Sequence, residues 1–437
     1  MTRRKATREI ASALVPSPRT MQRHTTNLYA KINLRNRAEA AAFALKDRSM
    51  LEIVRSPAVN WVLFGLVVAA GLLIASLGIL SETSLYGYGA EGAGGRGQVS
   101  LPNIQESLPQ SKAELGRALF FDRRLSGDAS TSCSTCHVPE LAWTDGEALS
   151  KGYSRNTLYF RNTPTVINAA KMPLFDWDGR FAAGDFNTLI RDHIAEAHFM
   201  NLDGRLLVER MKQIPEYDAA FGELFGSEVS YGKVLGSLAA FLETLNSQDH
   251  QYLEYAAGND SALSPKALSG LALFEGKAGC SQCHGGELLS DGELYALGVP
   301  DNQDIFQEPL RHITFRRFFR GFGVSEYVTM RSDPGLYALT LRETDRGKFR
   351  TPSLLEVAHT APYMHNGELA SLEDVVRFYN DGGGANPNKD SRIRPLGLSG
   401  DEISDLVAFL ESLGSRDMPT VDEPAPPPYQ PRTLGAN

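Results

Sequence analysis

The sequence predicts an all-α protein whose folded part consists of two helical domains, each built around one Cys-x-x-Cys-His motif. Three observations carry this. Cys133-Ser134-Thr135-Cys136-His137 and Cys280-Ser281-Gln282-Cys283-His284 start 147 residues apart and use all four cysteines of the chain. Apolar residues recur at helical spacing over 112–121, 186–200, 203–213, 231–247, 371–380 and 400–413. Ser264-Pro-Lys-Ala reads as a helix start shortly before the second motif. Between these stretches, 161–170 reads as an ordered loop and 301–331 as irregular. The basic aromatic run Phe315–Arg320 inside the latter is expected to pack as a loop on its own domain.

The motif is the attachment pattern of a c-type haem. Two thiols three residues apart lie on one helical turn and can add to the two vinyl groups of one porphyrin. The residue that follows then places its imidazole on the iron. A redox-active Cys-x-x-Cys needs neither the trailing His nor a second copy. A four-cysteine zinc site is the rival, but the two pairs lie far beyond zinc-ribbon spacing and each has its own His. The reading is therefore two covalent haems, attached at Cys133 and Cys136 and at Cys280 and Cys283, with His137 and His284 as proximal iron ligands. Two cytochrome c-like haem domains follow, over residues 102–255 and 256–415.

A chain of 437 residues with 42% hydrophobic and 22% charged residues suits two domains plus extra segments. The net charge of −8 is unevenly spread: residues 1–60 carry +8 and the remainder −16. The acidic bulk favours a basic protein patch over nucleic acid as a partner. Residues 1–49 do not belong with the rest. The run from Arg8 to Ala40 resembles the DNA-binding domain of LuxR-type regulators, with Ser17 capping a recognition helix that carries Arg19, Gln22 and Arg23. The first helix of such a domain is missing, so no functional nucleic-acid binding is expected, and a true start at Met50 is the simpler reading.

Residues 56–81 contain no charge and hold twenty apolar residues from Trp61 to Leu80, about 30 Å as a helix. Basic residues precede this segment and acidic ones follow, so its C-terminal side faces outward. It reads as an uncleaved transmembrane anchor or a signal peptide, which puts the haem domains in the periplasm, tethered to the inner membrane if the segment stays. A Gly-rich linker spans 82–101, and the Pro-rich end, 416–437, is expected to be disordered.

Several stretches together carry a family resemblance. Leu115-Gly-Arg-Ala-Leu-Phe-Phe-Asp-Arg-Arg-Leu-Ser-Gly-Asp, Asn162-Thr-Pro-Thr, Trp177-Asp-Gly-Arg, Gly347-Lys-Phe-Arg-Thr-Pro-Ser-Leu354 and Thr360-Ala-Pro-Tyr-Met-His-Asn-Gly367 resemble the bacterial dihaem cytochrome c peroxidase family, in its MauG- and MbnH-like branch, over about residues 102–415. The resemblance implies one calcium ion between the domains, held by the side chain of Asn162 and the carbonyls of Thr360 and Pro362, an oxygen set that suits a hard cation. It implies that Trp177 relays electrons between the haems; a large core side chain is the plainer alternative.

The resemblance also implies that H2O2 reacts at the first haem. Members that have a displaceable second His carry it shortly after the motif, whereas here no His falls between His137 and His193, so a five-coordinate site is expected. Where the family places a distal Glu, this chain has Phe199, which leaves Glu196 and His198 as the acid/base candidates. At the place of the second haem's axial Met, sixteen residues after Tyr363, stands Tyr379, and Met364 is its competitor. A phenolate stabilises oxidised iron, so the resemblance implies a MauG-like enzyme that oxidises a Trp or Tyr of a partner protein through a high-valent dihaem intermediate. The alternatives are a peroxidase fed by a small cytochrome or cupredoxin and a plain dihaem electron carrier.

Overall fold

Ser111 starts the first helix. Its hydroxyl accepts the Glu114 N–H at 3.1 Å, and the helix α1 runs Lys112–Phe121. The computed structural model describes residues 109–153 and 157–427, all within the compact unit Ile104–Asn437. The expected LuxR-like segment, the apolar span 56–81 and the linker 82–101 lie outside the described residues. Among the described residues no helix is long and apolar enough to cross a membrane.

The first lobe contains α1, α2 (Phe186–Ala195), α3 (Gly204–Lys212), α4 (Pro215–Phe225) and α5 (Tyr231–Leu242). The second contains α6 (Gln251–Ala256), α7 (Pro265–Glu275), α8 (Asp304–Gln307), α9 (Pro309–Phe322), α10 (Tyr337–Thr340), α11 (Leu372–Asn380) and α12 (Gly400–Glu411). Each cysteine pair sits on a single 3-10 turn, Cys133–Thr135 and Cys280–Gln282.

Both lobes are organised by the same helix crossing. In α1, a Cβ on Gly116 would lie 1.9 Å from the Ser237 carbonyl oxygen of α5; in α7, a Cβ on Gly270 would lie 2.0 Å from that of Asp405 in α12. Only glycine permits backbones to approach this closely. Four residues on from each contact, Phe120 meets Phe241 with ring centroids 5.3 Å apart, and Phe274 meets Phe409 at 5.0 Å. The pairs occupy equivalent places in separate cores: Leu115, Leu119, Leu238 and their neighbours in the first, Ile403, Leu406 and Leu410 in the second. A third cluster joins Tyr159 and Phe160 to Phe315, Phe318 and Phe319 of α9.

Four expectations need correction. The fold is helix-rich but not purely α: β1 (Leu174–Phe175) pairs antiparallel with β2 (Phe181–Ala182), and β3 (Leu294–Ala296) with β4 (Lys348–Arg350). Strands of two or three residues are too short to show an alternating pattern. Residues 301–331 are not irregular. Glu308 caps α9 by accepting the Arg311 N–H at 2.8 Å, Pro309 opens the helix, and Gly323 closes it at φ +81°. The aromatic run is helical, with Phe315, Phe318 and Phe319 buried against its own fold. The helices expected at 186–200 and 231–247 stop at Ala195 and Leu242.

The fourth correction is the tail. Residues 416–427 are ordered against the first lobe, where Met418 and Val421 pack on the core and Pro427 O accepts Arg124 Nη1 at 3.0 Å. Residues 428–437 lie outside the described residues.

A buried ion network fastens the loops between the lobes. Arg161, with 1% of its side chain exposed, donates Nε to Asp333 Oδ2 at 2.7 Å and Nη1 to Asp178 Oδ2 at 2.7 Å. Arg180 binds the other oxygen of Asp178 at 2.9 Å and Asp176 at 2.8 Å. Burial alone would lower the Arg161 guanidinium, but Asp178 and Asp333 outweigh it and hold it well above its ordinary value. Replacing Arg161 by Leu strands Asp333 in the interior. The holoprotein should lose about 3–5 kcal/mol of unfolding free energy in denaturant titration; a loss no larger than that of an exposed salt bridge would contradict this role.

Candidate functional site

A single cavity of about 950 Å³ receives both Cys-x-x-Cys-His motifs. Its wall includes Cys133, Cys136, His137, Cys280, Cys283 and His284, and also Asn162, Trp177, Thr360, Pro362 and Tyr379. Most residues singled out from the sequence therefore converge on one place.

None of the four cysteines is in a disulfide. Burial, and then the charge of Cys136, push Cys133 up to about 12; burial, then Asp145, push Cys136 up to about 11. Burial likewise raises Cys280 to about 11. Among the described residues no three His, Cys, Asp or Glu side chains form a metal-binding cluster, so the zinc rival finds no site there.

The two proximal imidazoles are held in one tautomer. His137 Nδ1 donates to Trp143 O at 3.1 Å and His284 Nδ1 to Leu289 O at 3.0 Å. This leaves each Nε2 as the lone-pair nitrogen, the one an iron needs. Burial, reinforced by nearby His193, pushes His137 down to about 4, and burial lowers His284. Both rings are neutral at physiological pH and ready to ligate.

The cavity also offers a counter-charge for an anionic cofactor. Arg350 donates Nε to Asp176 O at 3.0 Å and makes no ion pair among the described residues. Burial pushes its guanidinium down to about 10. A half-buried cation with no ion pair among the described residues costs less once an anion arrives, and haem propionates are such anions. Unpaired thiols, oriented imidazoles and an unneutralised guanidinium on one cavity wall fit haem.

The minor sheets place Trp177. It sits in the β1–β2 turn, where Asp176 at φ +56° and Gly179 at φ +66° reverse the chain. Its indole donates to Asn162 O at 2.9 Å, and its own carbonyl accepts the Arg350 N–H at 2.9 Å from β4. The indole is thus tied to the first lobe and the backbone to the second. Tyr379 ends α11 beside the second motif. Burial, then the charges of Cys280 and Cys283, push its phenol above the ordinary tyrosine range. Met364, the competitor, also borders the cavity, in a left-handed conformation between Tyr363 and His365. Asn162 Nδ2 lies 3.0 Å from Glu147 O and 3.4 Å from Pro362 O, so the amide and the Thr360–Pro362 turn do meet.

Glu196 and His198 are not on the cavity wall. The chain leaves α2 at Glu196, whose carbonyl accepts the Phe199 and Asn201 N–H groups, and His198 stacks on Tyr159 at 4.9 Å. The cavity instead takes His193, one helical turn earlier. Its Nδ1 donates to Leu189 O at 3.0 Å, and its ring stacks on Phe199 at 4.4 Å. The sequence signal was the stripe Phe186, Leu189, Ile190, His193 and Ile194, a single helical face that all lines the cavity. Phe199 does line the wall as expected, but as an aromatic support for that imidazole.

Residues 110–261 match the family described as Di-haem cytochrome c peroxidase. "Cytochrome-c peroxidase IdrP2" of Pseudomonas sp. (strain SCT) is 44% identical over 84% of this chain and 99% of its own length. The chain belongs to the di-haem cytochrome c peroxidase family. This peroxidase is also 37% identical to "Methylamine utilization protein MauG" of Methylorubrum extorquens, over 72% of this chain and 81% of that protein. Among solved structures, a MauG-like protein associated with microbial copper homeostasis superposes with TM-score 0.60 and 27% identity, over 73% of this chain and 96% of that one. Residues 2–44 separately match the luxR family of bacterial regulatory proteins.

The family membership establishes a peroxidase-type oxidoreductase with two haems. Replacing Cys133 and Cys136 together by Ala should leave one covalently bound haem per chain, measured by pyridine haemochrome and intact mass. Two haems retained through denaturation would contradict the attachment.

Proposed function

We propose that this peroxidase reduces H2O2 at the first haem site and draws the electrons from Trp or Tyr side chains of a partner protein, by way of Trp177 and the second haem site. The haems, when bound, supply the redox chemistry and hold the oxidising equivalents. One H2O2 takes two electrons and two protons and leaves as two waters; two such side chains of the partner supply one electron and one proton each, and the two radicals left behind couple in one covalent bond. His137 presents Nε2 because Trp143 O holds its Nδ1–H. His193 faces the same cavity with Nδ1 committed to Leu189 O. Its Nε2 takes the proton of the incoming peroxide and returns it to the leaving oxygen. Trp177 bridges the lobes as the oxidisable relay.

The observation that carries the partner-oxidising reading is Tyr379 on the wall of the cavity that also takes Cys280, Cys283 and His284. A phenolate ligand lowers a haem's potential relative to a thioether. Such a site receives electrons poorly from a mild donor and is suited to storing an oxidising equivalent until a partner side chain supplies an electron. The name of the 44% identical relative favours a second reading, reduction of H2O2 with electrons from a small cytochrome or cupredoxin. The proposal includes one calcium ion at Asn162, Thr360 and Pro362, supported by the approach of the Asn162 amide to the Pro362 carbonyl. It also includes a periplasmic location, with residues 56–81 as anchor or signal, supported by their uncharged apolar run.

Two measurements test this reading. Tyr379→Met should raise the reduction potential of the second site in spectroelectrochemical titration. A methionine–iron charge-transfer band already present in the wild type would remove Tyr379 as ligand and favour the small-donor reading. His193→Ala should slow H2O2 consumption by about 10²–10⁴-fold in stopped flow, with both haems still attached. An unchanged rate would dismiss His193 as the proton carrier.

A further inference from the structure

The two proximal histidines are supported in parallel ways, but one support has an addition. In the second lobe, His284 donates to Leu289 O, and Leu289 holds φ +48°. In the first, His137 donates to Trp143 O, with Ala142 at φ +54° and Trp143 at φ +60°. Left-handed backbone is costly for residues with a Cβ, and most so for bulky ones. It persists where the surroundings over-determine it. In each lobe this conformation belongs to the residue whose carbonyl receives the imidazole N–H.

Among the described residues, only the first lobe's carbonyl-bearing residue is clasped by the segment that follows α12. Trp143 is fully buried, with ring centroids 5.6 Å from Phe120 and 6.0 Å from Phe241. Its Nε1–H donates to Pro419 O at 2.8 Å. Pro419 belongs to the strap that leaves α12. The strap is rooted at Ser415, whose N–H donates to the buried Glu356 Oε2 at 2.9 Å and whose carbonyl accepts His359 Nε2 at 3.0 Å. Arg416 then pairs with Asp249 and Glu254, Met418 and Val421 enter the first-lobe core, and Pro427 O accepts Arg124 Nη1. The strap therefore spans from the second lobe's last helix to the first lobe's proximal support.

We propose that the strap of residues 416–427 positions the proximal ligand of the first haem: Pro419 O holds the Trp143 indole, and Trp143 O thereby holds His137. Trp143 is a positioning residue, acting through His137. The physical effect is on the imidazole. A firm hydrogen bond at Nδ1 fixes the ring and raises the basicity of Nε2, which stabilises oxidised iron and lowers the potential. The strap thus tunes the first haem alone, since Leu289 carries no side-chain donor. The inference rests on His137 being the first haem's proximal ligand.

The test uses the full-length holoprotein carrying Trp143→Phe, which keeps an aromatic ring and deletes the N–H, and a second variant truncated after Ser415. Resonance Raman of the reduced protein reads the iron–histidine stretch, and spectroelectrochemistry reads both potentials. In each variant the first site's stretch should fall and its potential rise, the second site's should stay, and the double variant should add little to the truncation. Unmoved first-site stretch and potential in the truncated protein would overturn the proposal, as would equal shifts at both sites. Should Trp143→Phe fail to fold, the truncation still decides. Haem content separates the two levels: absence of haem at Cys133 and Cys136 in the wild type would sink the ligand assignment itself, whereas haem retained with unmoved spectra would sink only the strap's role.

Discussion

A guanidinium sealed from water is stable only if its charges are met within the fold, and Arg161 is met from both lobes at once. Asp178 lies next to Trp177 in the first-lobe hairpin, and Asp333 lies in the second lobe, where its Oδ1 also accepts the Gly335 N–H at 2.9 Å. Removing water strengthens each contact and makes any unpaired member costly. The network therefore behaves as a joint with few alternative geometries. Asn162 follows Arg161 directly, and its carbonyl receives the Trp177 indole, so the same joint sets the ring on the cavity wall.

The chemistry of the cavity follows from what burial does to each group. Imidazoles stay neutral, with Nε2 free to ligate, thiols stay un-ionised, and Arg350 is left without an ion-pair partner among the described residues. These changes all match a covalently held, anionic, iron-bearing group. Arg161 and Arg350 show how charge neutralisation assigns roles. One is satisfied inside the protein and holds the structure; the other lacks an ion-pair partner among the described residues and points to the cofactor.

How much of this was legible beforehand varied with the kind of signal. Helices with a polar cap and an apolar stripe, such as α1, α7, α11 and α12, lie where their sequences put them, because cap and stripe are local. The helix α9 carries Pro309 at its start and Gly323 past its end, yet its arginines interrupt the apolar stripe and disguise it. The cavity-facing His193 is hidden in the sequence for a different reason. Glu196 and His198 were chosen by counting along the chain from a pattern, but α2 ends at Ala195, and only residues on its inward face reach the cavity. The tail's composition suggested disorder, whereas its order comes from Met418, Val421 and three hydrogen-bonded anchors on distant residues.

The sequence by itself determined the two haem cofactors, the helical character of both lobes and the family, and it points to the two Cys-x-x-Cys-His motifs as the attachment sites. Each of these rests on residues within one turn of each other or on a contiguous motif, so the chain's covalent order suffices to show it. Tertiary structure decided which face of α2 meets the cavity, the convergence of Trp177, Tyr379 and Asn162 on one site, the buried charge joint at Arg161 and the course of the strap over Trp143. Those depend on groups up to 303 residues apart. Packing and desolvation choose such partners, and neither is written in local spacing.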